Sequence, residues 1–239
     1  MDNNPGQPDS APLGTLPRTA MPAAITGWIR GGTLDAPLAG LVSIMVEHGL
    51  PLVVAARSDG SAAGWAGTAV RDALGRALLA CALPPARQIS TSAPVTADAD
   101  SLEAVLARMP LLSMESADDA GARIAIVLVL GTDADAWRVS AAHLLRPALR
   151  DGHGHLQRQG PAVLATWDPG HQQFEHFSWA VMAELALLVD RKAGDLEGEI
   201  AARTDLLAGL CDHRIEDPGA VRLAIQAART AVDATSRRD

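Results

Sequence analysis

The chain has 239 residues, a formal net charge of −8 and an apolar share of 48%. That is enough apolar mass for one sizeable domain or two small ones, and the negative balance excludes a protein that grips nucleic acid or anionic lipid over its whole surface. Aromatic residues make up only 3% and tyrosine is absent, so alanine and the aliphatic residues must fill the core.

Residues 1–24 are rich in Pro, Gly, Asn and Ser and are expected to form a disordered tail, leaving 25–239 as a single α/β domain. The opening MDNNPGQPDSAPLG has neither the basic region nor the apolar stretch of a signal peptide. No apolar run reaches the length of about 20 residues that crosses a bilayer. A cytoplasmic chain without a transmembrane segment is the expectation. Trp28, Ile29 and Arg30 then precede the flexible pair Gly31 and Gly32. Thr33 or Asp35 is suited to cap a helix whose Leu38, Leu41, Val42, Met45 and Val46 share one buried face. Gly49 ends it, where a left-handed residue carries no side-chain penalty.

The next stretch, PLVVAARSDGSAAGWAGTAVRDALGRALLA (51–80), runs from an apolar segment through Gly60, Gly64 and Gly67 into a helical pattern from Thr68 carried by Val70, Leu74 and Leu78. Strand, glycine loop and helix form the frame of a phosphate-binding loop, in which backbone N–H groups and the helix N-terminus face an anion. An ordinary strand-to-helix connection accounts for the same residues. The mononucleotide signature needs a lysine followed by a hydroxyl. Here Ala66, Gly67 and Thr68 stand in that place, and the only lysine is Lys192.

After Pro84 and Pro85, Gln88–Thr96 reads as an extended segment. Asp100 or Ser101 then caps a helix at Leu102, Val105, Leu106 and Met109 that Pro110 is expected to break, with Glu103 suited to its first-turn dipole. Arg123–Leu130 (RIAIVLVL) is continuous and apolar enough for a strand covered on both faces. Trp137–Leu145 is a second strand, and RPALRDGHGHLQRQG a polar turn or long hairpin. Ala162–Trp167 and Gln173–Trp179 read as strands joined by Asp168-Pro169-Gly170. Helical stripes follow: Leu185, Leu188, Val189; then Leu196, Ile200, Leu207, Leu210; then Val221, Ala224, Ile225, Ala228 after an Asp217-Pro218 start.

Other residues invite a chemical reading. His153, His155, His171, Glu175 and His176, with Asp151 and Asp168 nearby in sequence, are the one dense group of possible metal ligands. Their spacing matches no closed zinc pattern, so solvated histidines on a hairpin are the simpler reading, with a small metal-dependent hydrolase as the alternative. Asp35, Glu47, Asp72 and Glu103 fit caps or solvated helix faces, as do the interleaved charges Glu197, Glu199, Arg203 and Asp205. Trp137, Trp167 and Trp179 are expected in the core. Cys81 and Cys211 lack a CxxC partner and are expected as buried thiols on apolar helix faces.

Three stretches together resemble the motor ATPases of type II and type IV secretion and of type IV pilus assembly. PLVVAARSDGSAAGWAGT stands at the place of that family's strand and Walker A loop. VTADADSLEAVLARM is similar to its histidine box, with Asp98-Ala99-Asp100-Ser101 aligned on the motif and Asp98 in place of the histidine. The third, IAIVLVL through FEHFSWA with the helices after it, is similar to the family's β-rich terminal segment and α-helical end. The resemblance covers most of residues 27–232. It implies an α/β fold with a reduced P-loop-NTPase-like sheet, a β-rich segment and a helical C-terminus. It also implies protein partners in a homo- or hetero-oligomer and, at Gly60, Gly64, Gly67 and Thr68, at best weak binding of ATP with magnesium as cofactor, while the negative net charge argues against nucleic acid as a partner. The Walker A lysine, the acidic metal residues and the box histidine are absent from the matching positions. Phosphoryl transfer depends on such positioned charge, so the expected member is non-hydrolysing, an assembly or regulatory subunit. A purely structural interaction domain is the remaining alternative.

Overall fold

The computed structural model describes residues 21–57, 61–62, 65–82, 95–112, 125–146, 148–150 and 156–236. In chain order the elements are α1 (Ile25–Arg30), α2 (Ala36–Glu47), β1 (Leu52–Ala55), β2 (Ser61–Ala62), β3 (Trp65–Ala66), α3 (Gly67–Cys81), β4 (Val95–Ala97) and α4 (Leu102–Leu112). There follow β5 (Ala125–Asp133), β6 (Ala136–Leu145), β7 (Ala148–Arg150), β8 (Leu156–Arg158), β9 (Ala162–Asp168), β10 (Gln173–His176), a 3-10 turn (Ser178–Val181), α5 (Met182–Leu188), α6 (Ala193–Asp212) and α7 (Pro218–Ser236).

The fold is α/β. Six strands form one mixed sheet in the order β10-β9-β6-β5-β1-β4. Its parallel part places β1 between β4 and β5, with Val53 beside Val95 on one flank and Val127 on the other. From β5 onward the sheet is an antiparallel meander, β5-β6-β9-β10. The connections explain the split. Parallel neighbours need a crossover, supplied by α3 and α4, whereas tight hairpins suffice for antiparallel ones. β7 and β8 pair as a separate small hairpin.

Strand alternation sends two sets of side chains to two faces. Leu52, Val54, Ile126, Leu128, Leu130, Val139, Leu144 and Leu164 join the main core with α1, α2, α3, α5, α6 and α7. Val53, Ala55, Ala97, Val127, Val129 and Leu145 form a smaller cluster on the other face, closed by Leu102, Ala104 and Val105 of α4. The first face packs beneath six helices and the second beneath α4.

Most elements begin and end as their residues predict. Asp35 caps α2 by accepting a hydrogen bond from the Leu38 N–H at 3.0 Å, and Gly49 follows that helix with a φ of +94°. Asp217 caps α7 by accepting from the Ala220 N–H at 2.7 Å. Several positions differ. Residues 25–30 form a helix, to which periodicity assigned no element, and the burial of Ala24 brings the core to within the expected tail boundary. Helix α4 runs through Pro110 to Leu112. A proline so near a C-terminus removes one backbone bond and has only two residues of helix beyond it. The strand expected over 173–179 stops at His176, and Trp179 lies on the 3-10 turn, 73% exposed rather than in the core. Residues 88–94, 151–155 and most of the expected tail lie outside the described residues.

Two charged residues also depart from expectation, and for one reason. Glu47 and Arg203 were both read onto solvated faces, yet both are buried. Every residue of α2 from Leu38 to Glu47 is buried, because this helix is covered both by the sheet and by α6, whose approach is so close that a Cβ on Gly40 would lie 2.6 Å from Thr204 Oγ1. A carboxylate on such a helix must find cations within the protein. Arg203 donates to Glu47 Oε2 at 2.9 Å, and Arg229 of α7 donates to Oε1 at 2.6 Å. The second amine of Arg203 donates to Ser43 Oγ at 3.2 Å and to the Cys81 carbonyl at 3.1 Å. Four helices are thereby tied at one point.

Glu47→Ala is expected to lower the unfolding free energy by about 3 kcal/mol or more, because it leaves Arg203 buried without its carboxylate. The double change Glu47→Leu with Arg203→Met should recover most of that loss, as read from urea denaturation. A second pair makes stability depend on pH. The Glu199 carboxyl is held below its ordinary value of 4.5 by its hydrogen bond to His48 and, more weakly, by Arg191. Its contribution is complete above that ordinary value and disappears as pH falls through the depressed one. The stability difference between the wild type and Glu199→Gln should therefore shrink on acidification from pH 7 towards pH 3, measured by denaturation at each pH.

Candidate functional site

The carboxyl end of β1 is where the sheet reverses its winding. The second parallel strand, β4, lies on one side of β1 and the third, β5, on the other. Doubly wound sheets bind ligands in the crevice outside such a point. Beyond Ala55 the chain is fixed by the Ala56 N–H donating to the Ala97 carbonyl at 3.1 Å. It then passes through the short hairpin β2–β3, in which Ser61 pairs with Ala66 and Ala62 with Trp65, and enters α3 directly at Gly67. Of the four expected loop positions, Gly67 and Thr68 form the first turn of α3, Gly67 buried and Thr68 half-buried. Gly60 and Gly64 lie outside the described residues.

Gly67 is required by a close approach of backbone to backbone. A Cβ built there would stand 1.7 Å from the Arg57 carbonyl oxygen and 3.2 Å from Cη2 of Trp137. The end of β1 and the start of α3 are thus pressed together beneath the Trp137 ring of β6. The first turn of a helix carries N–H groups without intrahelical acceptors and the positive end of its dipole, the two features that attract an anion.

Two arginines stand at this edge. Arg57 projects from the end of β1, 60% exposed, and pairs with Asp100 at 3.1 Å. Arg71, one turn into α3 from Gly67, reaches the Ala56 carbonyl at 3.5 Å, with its Nε 3.6 Å from Asp72 Oδ1. Sequence reading looked for a lysine and passed over both. The available signal was the i+4 spacing of Arg71 from Gly67, which keeps it on the side of α3 that meets β1. A guanidinium offers a phosphate a planar, forked set of donors where an ammonium offers a point charge.

The segment aligned with the histidine box lies beside this edge. Asp98 and Asp100 follow β4 directly, the Ala99 N–H donates to the Ala97 carbonyl at 3.1 Å, and Ser101 caps α4 by accepting from the Ala104 N–H at 3.3 Å. The Arg57–Asp100 ion pair joins the glycine-loop stretch to the box-like stretch, 43 residues apart in sequence.

Of the histidine group, the two described members, His171 and His176, are each paired with a different carboxylate. His171 Nδ1 is 2.5 Å from Asp168 Oδ2 at the exposed β9–β10 turn. Each sets the other's protonation there, lowering the carboxyl's pKa and raising the imidazole's. His176 Nε2 lies 2.7 Å from Asp35 Oδ2, tying the edge strand β10 to the cap of α2, while Glu175 is exposed. His153, His155 and Asp151 fall outside the described residues. Among the described residues no three His, Cys, Asp or Glu side chains gather as a metal would need. A histidine that the sequence reading did not single out, His143, sits on the second face of the sheet between Val127 and Val163. Burial pushes its pKa down, and its Nδ1 has no hydrogen-bond partner among the described residues.

Of the four carboxylates read onto caps or solvated faces, Asp35 caps α2, Glu47 joins the buried network, Asp72 is half-buried with its Oδ1 3.6 Å from Arg71 Nε, and Glu103 is exposed in the first turn of α4. Trp137 is buried as expected, and Trp167 is half-buried, donating to Asp133 at 2.9 Å. Cys81 is buried, and desolvation raises its thiol to about 12. Cys211 is half-buried rather than fully enclosed, and burial raises it as well. Neither has the environment of a thiolate nucleophile. No protein-family model matches the chain, and no curated protein is detectably similar to it.

Two outcomes are expected. Gly67→Ala should destabilise the fold by about 2 kcal/mol or more, since the added methyl would overlap the Arg57 carbonyl and crowd the Trp137 ring. Thr68→Asp, which places an acid in the first turn of a helix, should leave stability nearly unchanged; chemical denaturation of both variants checks this. Alkylation of the native protein at pH 8 should modify Cys211 well before Cys81, read by mass spectrometry of the peptides.

Proposed function

We propose that the chain is a non-hydrolysing relative of the secretion and pilus ATPases, acting as an assembly or regulatory subunit on protein partners, with a residual anion site at the start of α3. The observation that supports this reading is the meeting of the two motif-like stretches at the carboxyl end of the central strand β1, through the Arg57–Asp100 pair. The first turn of α3 opens there with Gly67 pressed against the Arg57 carbonyl. No lysine stands at the head of α3 to reach a β- or γ-phosphate. The cations at hand, Arg57 and Arg71, are partly engaged by Asp100 and by the Ala56 carbonyl. Binding of a phosphate group must compete with those contacts, so the site holds its ligand weakly. Turnover further requires a positioned metal and a positioned water. A partner-binding role follows from that absence of turnover together with the homo- or hetero-oligomers in which the resembling ATPases act. No helix among the described residues is long and apolar enough to cross a membrane.

Calorimetry of the full chain with ATP and magnesium is expected to give a Kd on the order of 100 μM, with no phosphate release. Thr68→Asp, folded by circular dichroism, should abolish the binding by placing a negative charge where the phosphate would lie. Absence of heat at millimolar ATP would remove the anion site. A steady ATPase rate lost in Thr68→Asp would overturn the non-hydrolysing assignment.

A further inference from the structure

We draw no further inference here: the strongest candidate, the exposed apolar stripe of Trp179, Ala180, Ala183 and Leu187 along the 3-10 turn and α5, is an unpartnered face, and nothing in the structure shows what covers it.

Discussion

The helical layer depends on one buried charge. Glu47 sits on a helix enclosed on all sides, and an isolated carboxylate there would cost several kcal/mol in lost hydration. Arg203 from α6 and Arg229 from α7 each take one of its oxygens, and Arg203 extends the network to Ser43 on α2 and to the carbonyl of Cys81 at the end of α3. The hydrophobic contacts around this point involve Leu, Val and Ala side chains that tolerate sliding by small amounts. Hydrogen-bonded charges do not, because a shift of one residue along α6 would strand both Glu47 and Arg203. The network therefore sets the register of the C-terminal helices against α2, and through Cys81 against the helix that begins at the candidate site.

That connection gives α3 two fixed ends. At its C-terminus the Cys81 carbonyl is bound by Arg203. At its N-terminus Gly67 is pressed onto Arg57 under Trp137. A helix held in this way keeps its first turn at the carboxyl edge of β1 without any ligand. Preorganisation of this kind lowers the ordering cost of binding. The same packing restricts what the edge can do. It presents backbone donors and two arginines, but the arginines already have acceptors in Asp100 and Ala56. Any anion reaching this edge must compete with those acceptors for the guanidinium groups.

The antiparallel half of the sheet belongs to a different part of the molecule's economy of contacts. Its hairpin tips carry left-handed residues at Ala134, Asp135 and Gln172. Side chains stitch the tips together: Trp167 and Gln172 both donate to Asp133, and Arg138 lies over the Trp167 ring while donating to the Gly31 carbonyl at 2.7 Å. The segment from Gly31 to Asp35 is fastened to this half three times, through Arg138, through the Val139 N–H on the Thr33 carbonyl, and through His176 on Asp35. These contacts explain why His176 is unavailable as a free ligand. Its partner is the residue that caps α2.

What the sequence determined by itself was local. Apolar runs, caps and turn residues specified β1, β5, β6, β9, α2, α6 and α7, because strand and helix periodicity, an Asp cap or an Asp-Pro-Gly turn acts within a few residues. The α/β class follows from that order, and the likeness of the loop after β1 to a phosphate-binding frame was legible in its glycines. Only the tertiary structure decided which charges are buried. Glu47 looks like a surface residue because it is the one charge at the end of an apolar helix, and Arg203 because α6 also carries exposed charges; burial is imposed on both by the packing of α6 and α7 against α2. Likewise the need for glycine at 67 comes from a carbonyl ten residues earlier, and the pairing of Arg57 with Asp100 from β4 lying beside β1. Both depend on strand order, which no short-range pattern encodes.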